Sequence, residues 1–265
     1  MKVAVQSHQG MVRLKNEDYY RVLTRDASIN RETSVPGETS VPGETSVPAI
    51  LIIADGMGGH RAGDIASRKA VECVEAYLKS ETLWAQEEAV AFDNIVDAMV
   101  KANQELYALS LTDVELEGMG TTMIIAVFLK NRVYIGHVGD SRLYLIRNAM
   151  IKQITFDHSL VACLVQEGSI SEEDAKTHFG KNVITRAIGT MDSVKVDTFS
   201  LDVFADDIFV MCTDGLTNKL EDNEILHMVL ENNDLDAVCK QLVDEANRRG
   251  GEDNITVILA KEEGS

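Results

Sequence analysis

Hydrophobic and polar positions change period in blocks along the chain. Apolar runs of strand character occur near residues 2–7, 19–24 and 50–54. Two helical patterns follow. Ala66, Ala70, Val74 and Tyr77 recur on one face, and Phe92, Ile95, Met99, Ala102, Leu106 and Leu109 recur on the next, the spacing of amphipathic helices. Strand patterns return at 121–129, 132–138, 142–147 and 150–155, and Arg147-Asn148-Ala149 predicts a hairpin turn between the last two. Residues 159–190 read as helical and irregular, with Ser171 and Asp174 spaced for a capping box. Further strands are predicted at 194–200, 206–212 and 254–260, and helices at 222–231 and 235–247. In the last helix Leu235, Val238, Leu242 and Ala246 share a face. Strand blocks and helix blocks are segregated, which predicts an α+β layered fold over a doubly wound sheet.

Residues 32–48 stand outside this pattern. They repeat Glu-Thr-Ser-Val-Pro three times and hold all 3 prolines of the chain. A six-residue unit of this composition cannot bury a core, so it is expected as an elongated loop between two strands. It is read as a tolerated insertion, with a docking loop as the alternative.

Composition changes the picture in three ways. The formal net charge of -18 disfavours non-specific binding to nucleic acid or anionic membrane. It also asks where so many carboxylates sit. Cys73, Cys163, Cys212 and Cys239 form no CxxC pair, and none has an arginine six residues downstream, so neither a zinc ribbon nor a cysteine-nucleophile phosphatase loop is expected. Each cysteine lies in an apolar stretch and is expected to be buried and reduced. The longest apolar run, 121–129, is too short to span a bilayer, and no signal-peptide pattern is present, so the cytoplasm is the expected location.

Four stretches set an acidic residue beside Gly or Asn next to an apolar strand. They are Arg13-Leu14-Lys15-Asn16-Glu17-Asp18, Ile52-Ile53-Ala54-Asp55-Gly56-Met57-Gly58-Gly59-His60, Ile208-Phe209-Val210-Met211-Cys212-Thr213-Asp214-Gly215 and Gly250-Gly251-Glu252-Asp253-Asn254-Ile255. A carboxylate at a strand end is held rigidly, and the glycine lets backbone approach an ion. Carboxylates and carbonyls are hard oxygen ligands suited to Mg²⁺ or Mn²⁺. Gathered without a cation they would repel and titrate upward. Taken singly, each Asp-Gly reads as a turn, and spacing leaves open whether Asp55, Asp214 and Asp253 meet. A Ca²⁺-binding acidic protein is a further alternative, but no EF-hand spacing is found.

These stretches closely resemble the signature motifs of the PP2C-like (PPM) protein phosphatase family in its bacterial form. The resemblance extends to Gly120-Thr121-Thr122, His137-Val138-Gly139-Asp140-Ser141-Arg142, Asp157-His158-Ser159-Leu160-Val161 and Ile184-Thr185-Arg186-Ala187-Ile188-Gly189, in the family's order. It implies a four-layer αββα sandwich of two antiparallel sheets flanked by helices. One domain would cover 1–265, with the repeat as a loop insertion and a flap at about 159–185. It implies a metal-dependent phosphatase of phosphoserine and phosphothreonine, using two Mn²⁺ or Mg²⁺ ions with a weak third. By resemblance, Asp55 bridges two ions and the Gly56 carbonyl ligates one. Asp214 and Asp253 complete the first, and Asp18, with Glu17 ranked behind it, serves the second. Asp140 serves the third together with Asp214. Arg13 would hold the phosphate, whose oxygens match a guanidinium fork, and His60 would donate a proton to the leaving alkoxide. Thr121, Thr122, His137, His158 and Arg186 are read as structural. The implied partners are phosphorylated proteins, among them a serine/threonine kinase and its targets, met by a monomer. The alternatives are a dedicated phosphatase of one partner, of the anti-sigma antagonist type, and an inactive binding module of the same fold. Three departures from the family pattern are His8, where Asp is usual, His178-Phe179 in place of His-Pro, and the long repeat at 32–48.

Overall fold

The computed structural model describes residues 1–24, 39–40, 43–44, 49–58, 62–80 and 88–262, so His60 and most of the repeat lie outside the described residues. The strands are β1 (Lys2–His8), β2 (Asp18–Thr24), β3 (Thr39–Ser40), β4 (Gly43–Glu44), β5 (Ala49–Met57), β6 (Gly120–Thr121), β7 (Met123–Leu129), β8 (Arg132–Val138), β9 (Arg142–Arg147), β10 (Met150–Gln153), β11 (Asp197–Asp202), β12 (Ile208–Cys212) and β13 (Ile255–Lys261). The helices are α1 (Ala62–Ser80), α2 (Glu88–Ser110), α3 (Leu160–Gln166), α4 (Glu172–Thr177), α5 (Asp214–Thr217), α6 (Asp222–Glu231) and α7 (Leu235–Arg248). One sheet runs β10-β9-β12-β13-β1-β3, with β4 also on β1. The other runs β11-β8-β7-β5-β2, with β6 on β5. Every pairing is antiparallel.

The continuous apolar runs follow from burial on both faces. In β5, Ile50, Ile52 and Ala54 face α1 and α2, while Ala49, Leu51 and Ile53 face the other sheet. In β13, Ile258 and Ala260 point between the sheets, and Ile255, Val257 and Leu259 pack on α7. Successive side chains of a strand therefore serve two cores, and the two sheets lie between two helical layers, as the resemblance implied.

The turn at Asn148 and Ala149 joins β9 to β10 as a two-residue loop. Arg147 pairs with Met150, and both central residues have positive φ, 53° and 56°, as a type I′ turn requires. The Ser171–Asp174 capping box is present at the start of α4. Three local expectations shift. The predicted strand at 121–129 breaks at Thr122, because that residue bonds to Asp55 instead of continuing the ladder. The strand expected at 194–200 runs from Asp197 to Asp202. Cys163 is exposed on α3, unlike the buried Cys73, Cys212 and Cys239; this helix covers no core, so its apolar sequence is not a burial signal. Among the described residues no helix is long and apolar enough to cross a membrane.

Candidate active site

The antiparallel register sets Asp18 of β2 directly opposite Asp55 of β5. Asp214 opens α5 immediately after β12, and Asp253 lies just before β13, the neighbour of β12. One hydrogen-bond cluster joins the two sheets. Asp18 Oδ2 accepts from Thr256 Oγ1 at 2.7 Å and from Thr213 Oγ1 at 2.9 Å. Thr213 Oγ1 in turn accepts the Thr256 N–H at 3.0 Å. Each threonine has one hydroxyl proton, and both point at Asp18. Ser7 must then donate to Thr256, 2.8 Å away, and Asn16 Nδ2 donates to Ser7 at 2.9 Å. This chain of donors favours a carboxylate at Asp18 over a carboxylic acid.

Asp55 is fixed through its backbone. Its N–H donates to Thr122 Oγ1 at 3.0 Å, and its carbonyl accepts from the Thr122 N–H at 2.9 Å and from Thr121 Oγ1 at 2.8 Å. Thr122 Oγ1 also pairs with Ser141 Oγ at 2.8 Å, linking Asp55 to the turn that carries Asp140. Gly56 lies under the loop that precedes β2, its N–H donating to the Glu17 carbonyl at 3.1 Å. Ser67 of α1 donates to the same carbonyl at 2.5 Å.

Electrostatics follow from this crowding. Burial, then Asp18, Asp214, Asp140 and Asp253, push the Asp55 carboxyl well above its ordinary range. Burial pushes Asp18 up to about 8, against its two threonine bonds. Burial and Asp214 push Asp140 up to about 7, and burial and Asp253 push Asp214 up to about 6. Burial also raises Glu17. Such a cluster is costly at neutral pH unless positive charge joins it.

The donor set fits a hard divalent cation. One oxygen each of Asp18, Asp140 and Asp214 is buried with no hydrogen-bond partner, and buried polar atoms are seldom left so. Among the described residues, no three His, Cys, Asp or Glu side chains already enclose one point. Other oxygens of the cluster have local partners: Arg13 Nη2 holds Asp253 Oδ2 at 2.7 Å, and Asn218 Nδ2 holds Asp214 Oδ2 at 2.9 Å. Arg13 stands at the rim, half exposed, with Glu17 and Asp55 also acting on its charge. The structure thus brings Arg13, Glu17, Asp18, Asp55, Gly56, Asp140, Asp214 and Asp253 to one region, while His60 lies outside the described residues.

Sequence reading missed the supporting groups. Thr213 and Asn254 stand inside the quoted acidic stretches and Thr256 just beyond one, yet the sequence assigns none of them a role. Asn254 Oδ1 accepts the Glu17 N–H at 2.7 Å, and its Nδ2 donates to the carbonyls of Gln9 at 2.9 Å and Lys15 at 2.8 Å. This buried amide ties the Arg13 loop to the Asp253 turn. Asn254→Ala is expected to destabilise by about 2–4 kcal/mol, because it strands three backbone groups; urea unfolding at equilibrium measures this.

Residues 42–259 match the family profile of protein phosphatase 2C. The chain belongs to the protein phosphatase 2C family. Membership makes it a protein phosphatase. Serine/threonine phosphatase stp of Listeria monocytogenes is 40% identical over 213 residues, which cover 80% of this chain and 84% of the relative. The crystal structure of serine/threonine phosphatase Stp1 from Staphylococcus aureus superposes with a TM-score of 0.86 at 32% identity, covering 99% of this chain and 95% of that one. The catalytic domain of serine/threonine protein phosphatase PstP, solved in complex with 2 manganese ions, is 30% identical with a TM-score of 0.78 over 100% of both chains. These relatives are named as phosphatases, so an inactive binding module has no support among them.

Proposed function

We propose that this phosphatase acts on phosphoserine and phosphothreonine of other proteins and depends on Mn²⁺ or Mg²⁺. The observation that carries the reading is the buried cluster of aspartates from remote parts of the chain, with three carboxylate oxygens lacking partners. Asp55 and the Gly56 carbonyl, Asp214 and Asp253 would hold one ion. Asp55 and Asp18, with Glu17 beside them, would hold a second, and Asp140 with Asp214 a weaker third. Bound there, divalent cations supply Lewis-acid charge and lower the pKa of water.

The chain's own groups do the rest. Arg13 swings from Asp253 to the phosphoryl group and presents two N–H donors to its oxygens. Asp253 is thereby freed to act as a ligand. The hydroxyls of Thr213 and Thr256 favour the ionised form of Asp18 against its burial. His60 would protonate the leaving serine or threonine oxygen as water adds its oxygen to phosphorus, giving alcohol and inorganic phosphate. Residues 159–185, carrying α3 and α4, would border the substrate cleft as a flap. A serine/threonine kinase and its targets would be the partners, since Arg13 would engage the phosphate that every such target carries.

Hydrolysis of p-nitrophenyl phosphate and of a phosphothreonine peptide tests the reading. EDTA is expected to lower both rates by at least about a hundredfold, with full recovery in excess Mn²⁺. Equal rates in EDTA and Mn²⁺ would rule it out.

A further inference from the structure

The turn bearing Asp140 is held from two sides. Thr122 and Ser141 tie it to Asp55. On the other side stands His158, which precedes the flap. Its Nδ1 accepts the Gly139 N–H at 2.9 Å, and its own N–H donates to the Gly139 carbonyl at 2.8 Å. With Nδ1 an acceptor, the ring proton is on Nε2, which donates to Asp197 Oδ2 at 3.1 Å. Arg186 Nη1, 2.8 Å from that ring nitrogen, donates to Asp197 Oδ1 at 2.7 Å. The His158 carbonyl accepts the Thr185 N–H at 2.8 Å, where the chain leaves the flap. One residue therefore joins three parts: its ring ties the Asp140 turn to β11, and its backbone ties that turn to both ends of the flap.

The ring cannot easily reorient. His137 stacks on it at 4.7 Å between centroids, and its Nε2 lies 3.1 Å from the Ser141 carbonyl. Burial first, and then His158, push His137 down to about 3, so it is neutral and donates to that carbonyl. The turn itself has no slack. Gly139 adopts φ +114°, and a Cβ there would stand 2.6 Å from Thr122 Cγ2.

We propose that His158, fixed by Asp197, which Arg186 holds in turn, is a positioning residue that holds the Gly139–Ser141 turn so that Asp140 presents its unpartnered oxygen to a divalent cation. The proposal rests on the reading of Asp140 as a cation ligand. Beyond that reading, His158 sets the ligand's place and makes the two ends of the flap part of the same device. Residues that orient a ligand from behind typically alter cation affinity 10–100-fold when removed.

The test is a double-mutant cycle read by Mn²⁺ titration of the purified chain, with bound ions counted by electron paramagnetic resonance. His158→Ala is expected to weaken the lowest-affinity Mn²⁺ by about tenfold or more, and to have no further effect in an Asp140→Asn background. His158→Asn, which keeps an acceptor for the Gly139 N–H, is expected to recover to within about threefold. If His158→Ala does not fold, Asp197→Ala takes its place in the cycle, since it removes the partner that fixes the ring. Additive losses in the double variant, or no rescue by asparagine, would overturn the positioning role. An Asp140→Asn variant that binds all its Mn²⁺ like the wild type would instead show that the underlying ligand assignment is wrong, and the proposal falls with it.

Discussion

Asp55→Asn is expected to lower kcat/KM on a phosphothreonine peptide by at least about a thousandfold, while making the metal-free protein more stable. The two effects have one cause. Asp55 is surrounded by Asp18, Asp214, Asp140 and Asp253, and burial plus these neighbours hold its carboxyl well above the ordinary range. A carboxyl whose pKa is raised by folding stabilises the fold fully below its unfolded value, roughly 3.9, and that stabilisation is lost as pH rises toward the folded value. At neutral pH the metal-free protein therefore bears a cost that an amide of the same shape removes. We expect a gain of about 1–2 kcal/mol, roughly 2–8 °C in melting temperature, growing from pH 5 to pH 8 and vanishing toward pH 4. Mn²⁺ should raise the melting temperature of the wild type more than that of the variant, because an amide oxygen is a weaker ligand than a carboxylate. Thermal scans with EDTA and with Mn²⁺ at several pH values, beside peptide kinetics, check all three. A variant that hydrolyses the peptide at wild-type rate, or melts lower than wild type in EDTA at pH 8, would contradict this account.

Gly56→Ala should be nearly as damaging, for a steric reason. A Cβ at Gly56 would overlap the Gly63 carbonyl oxygen and stand 2.7 Å from the Glu17 carbonyl oxygen, both of them backbone atoms. Neither can move freely. The Glu17 carbonyl accepts from Gly56 N–H and from Ser67 Oγ, and Gly63 lies in the first turn of α1. Pushing the Glu17 loop away moves Asp18 and the Arg13 loop with it. The expected result is a loss of at least about 3 kcal/mol in urea unfolding, and of about a hundredfold or more in kcat/KM. Gly118→Ala is the control. Gly118, unlike Gly56, has positive φ, and a Cβ there meets nothing within 4 Å, so only the left-handed backbone cost of about 1–2 kcal/mol applies. Equal behaviour of the two variants would remove the steric argument.

The structure also accounts for one departure from the family pattern. His8 stands where an acidic residue is usual, yet its Nδ1 accepts the Gly10 N–H at 2.9 Å and pairs with Asn247 Nδ2 at 3.2 Å. The acceptor that the loop needs is supplied by a ring nitrogen instead of a carboxylate oxygen. A second departure, His178-Phe179, leaves Phe179 almost wholly exposed, and nothing in the structure explains it.

Much of this architecture was legible along the chain. Burial writes a periodic pattern into sequence, so the double-sided strands of β5, β7, β12 and β13 and the one-sided helix α7 could be recognised from their residues alone. The carboxylates were legible as candidates, because Asp-Gly after an apolar run is a local pattern. Which of them meet was legible only through the family resemblance, and not from the residues themselves. Asp18 is held by Thr256, 238 positions away, and by Thr213, 195 positions away, and neither threonine carries any local mark of that role. The pairing of Asp18 with Asp55 depends on strand register, and a slip of one residue would send the two carboxylates to opposite faces. His158 likewise reads as a lone histidine at a turn until folding brings Gly139, Asp197 and Arg186 around it. The amino-acid order thus determined which segments bury and which residues could carry charge to a site. Tertiary structure alone decided which of those charges share one, because hydrogen bonds and Coulomb forces act over ångströms in space and are blind to distance along the chain.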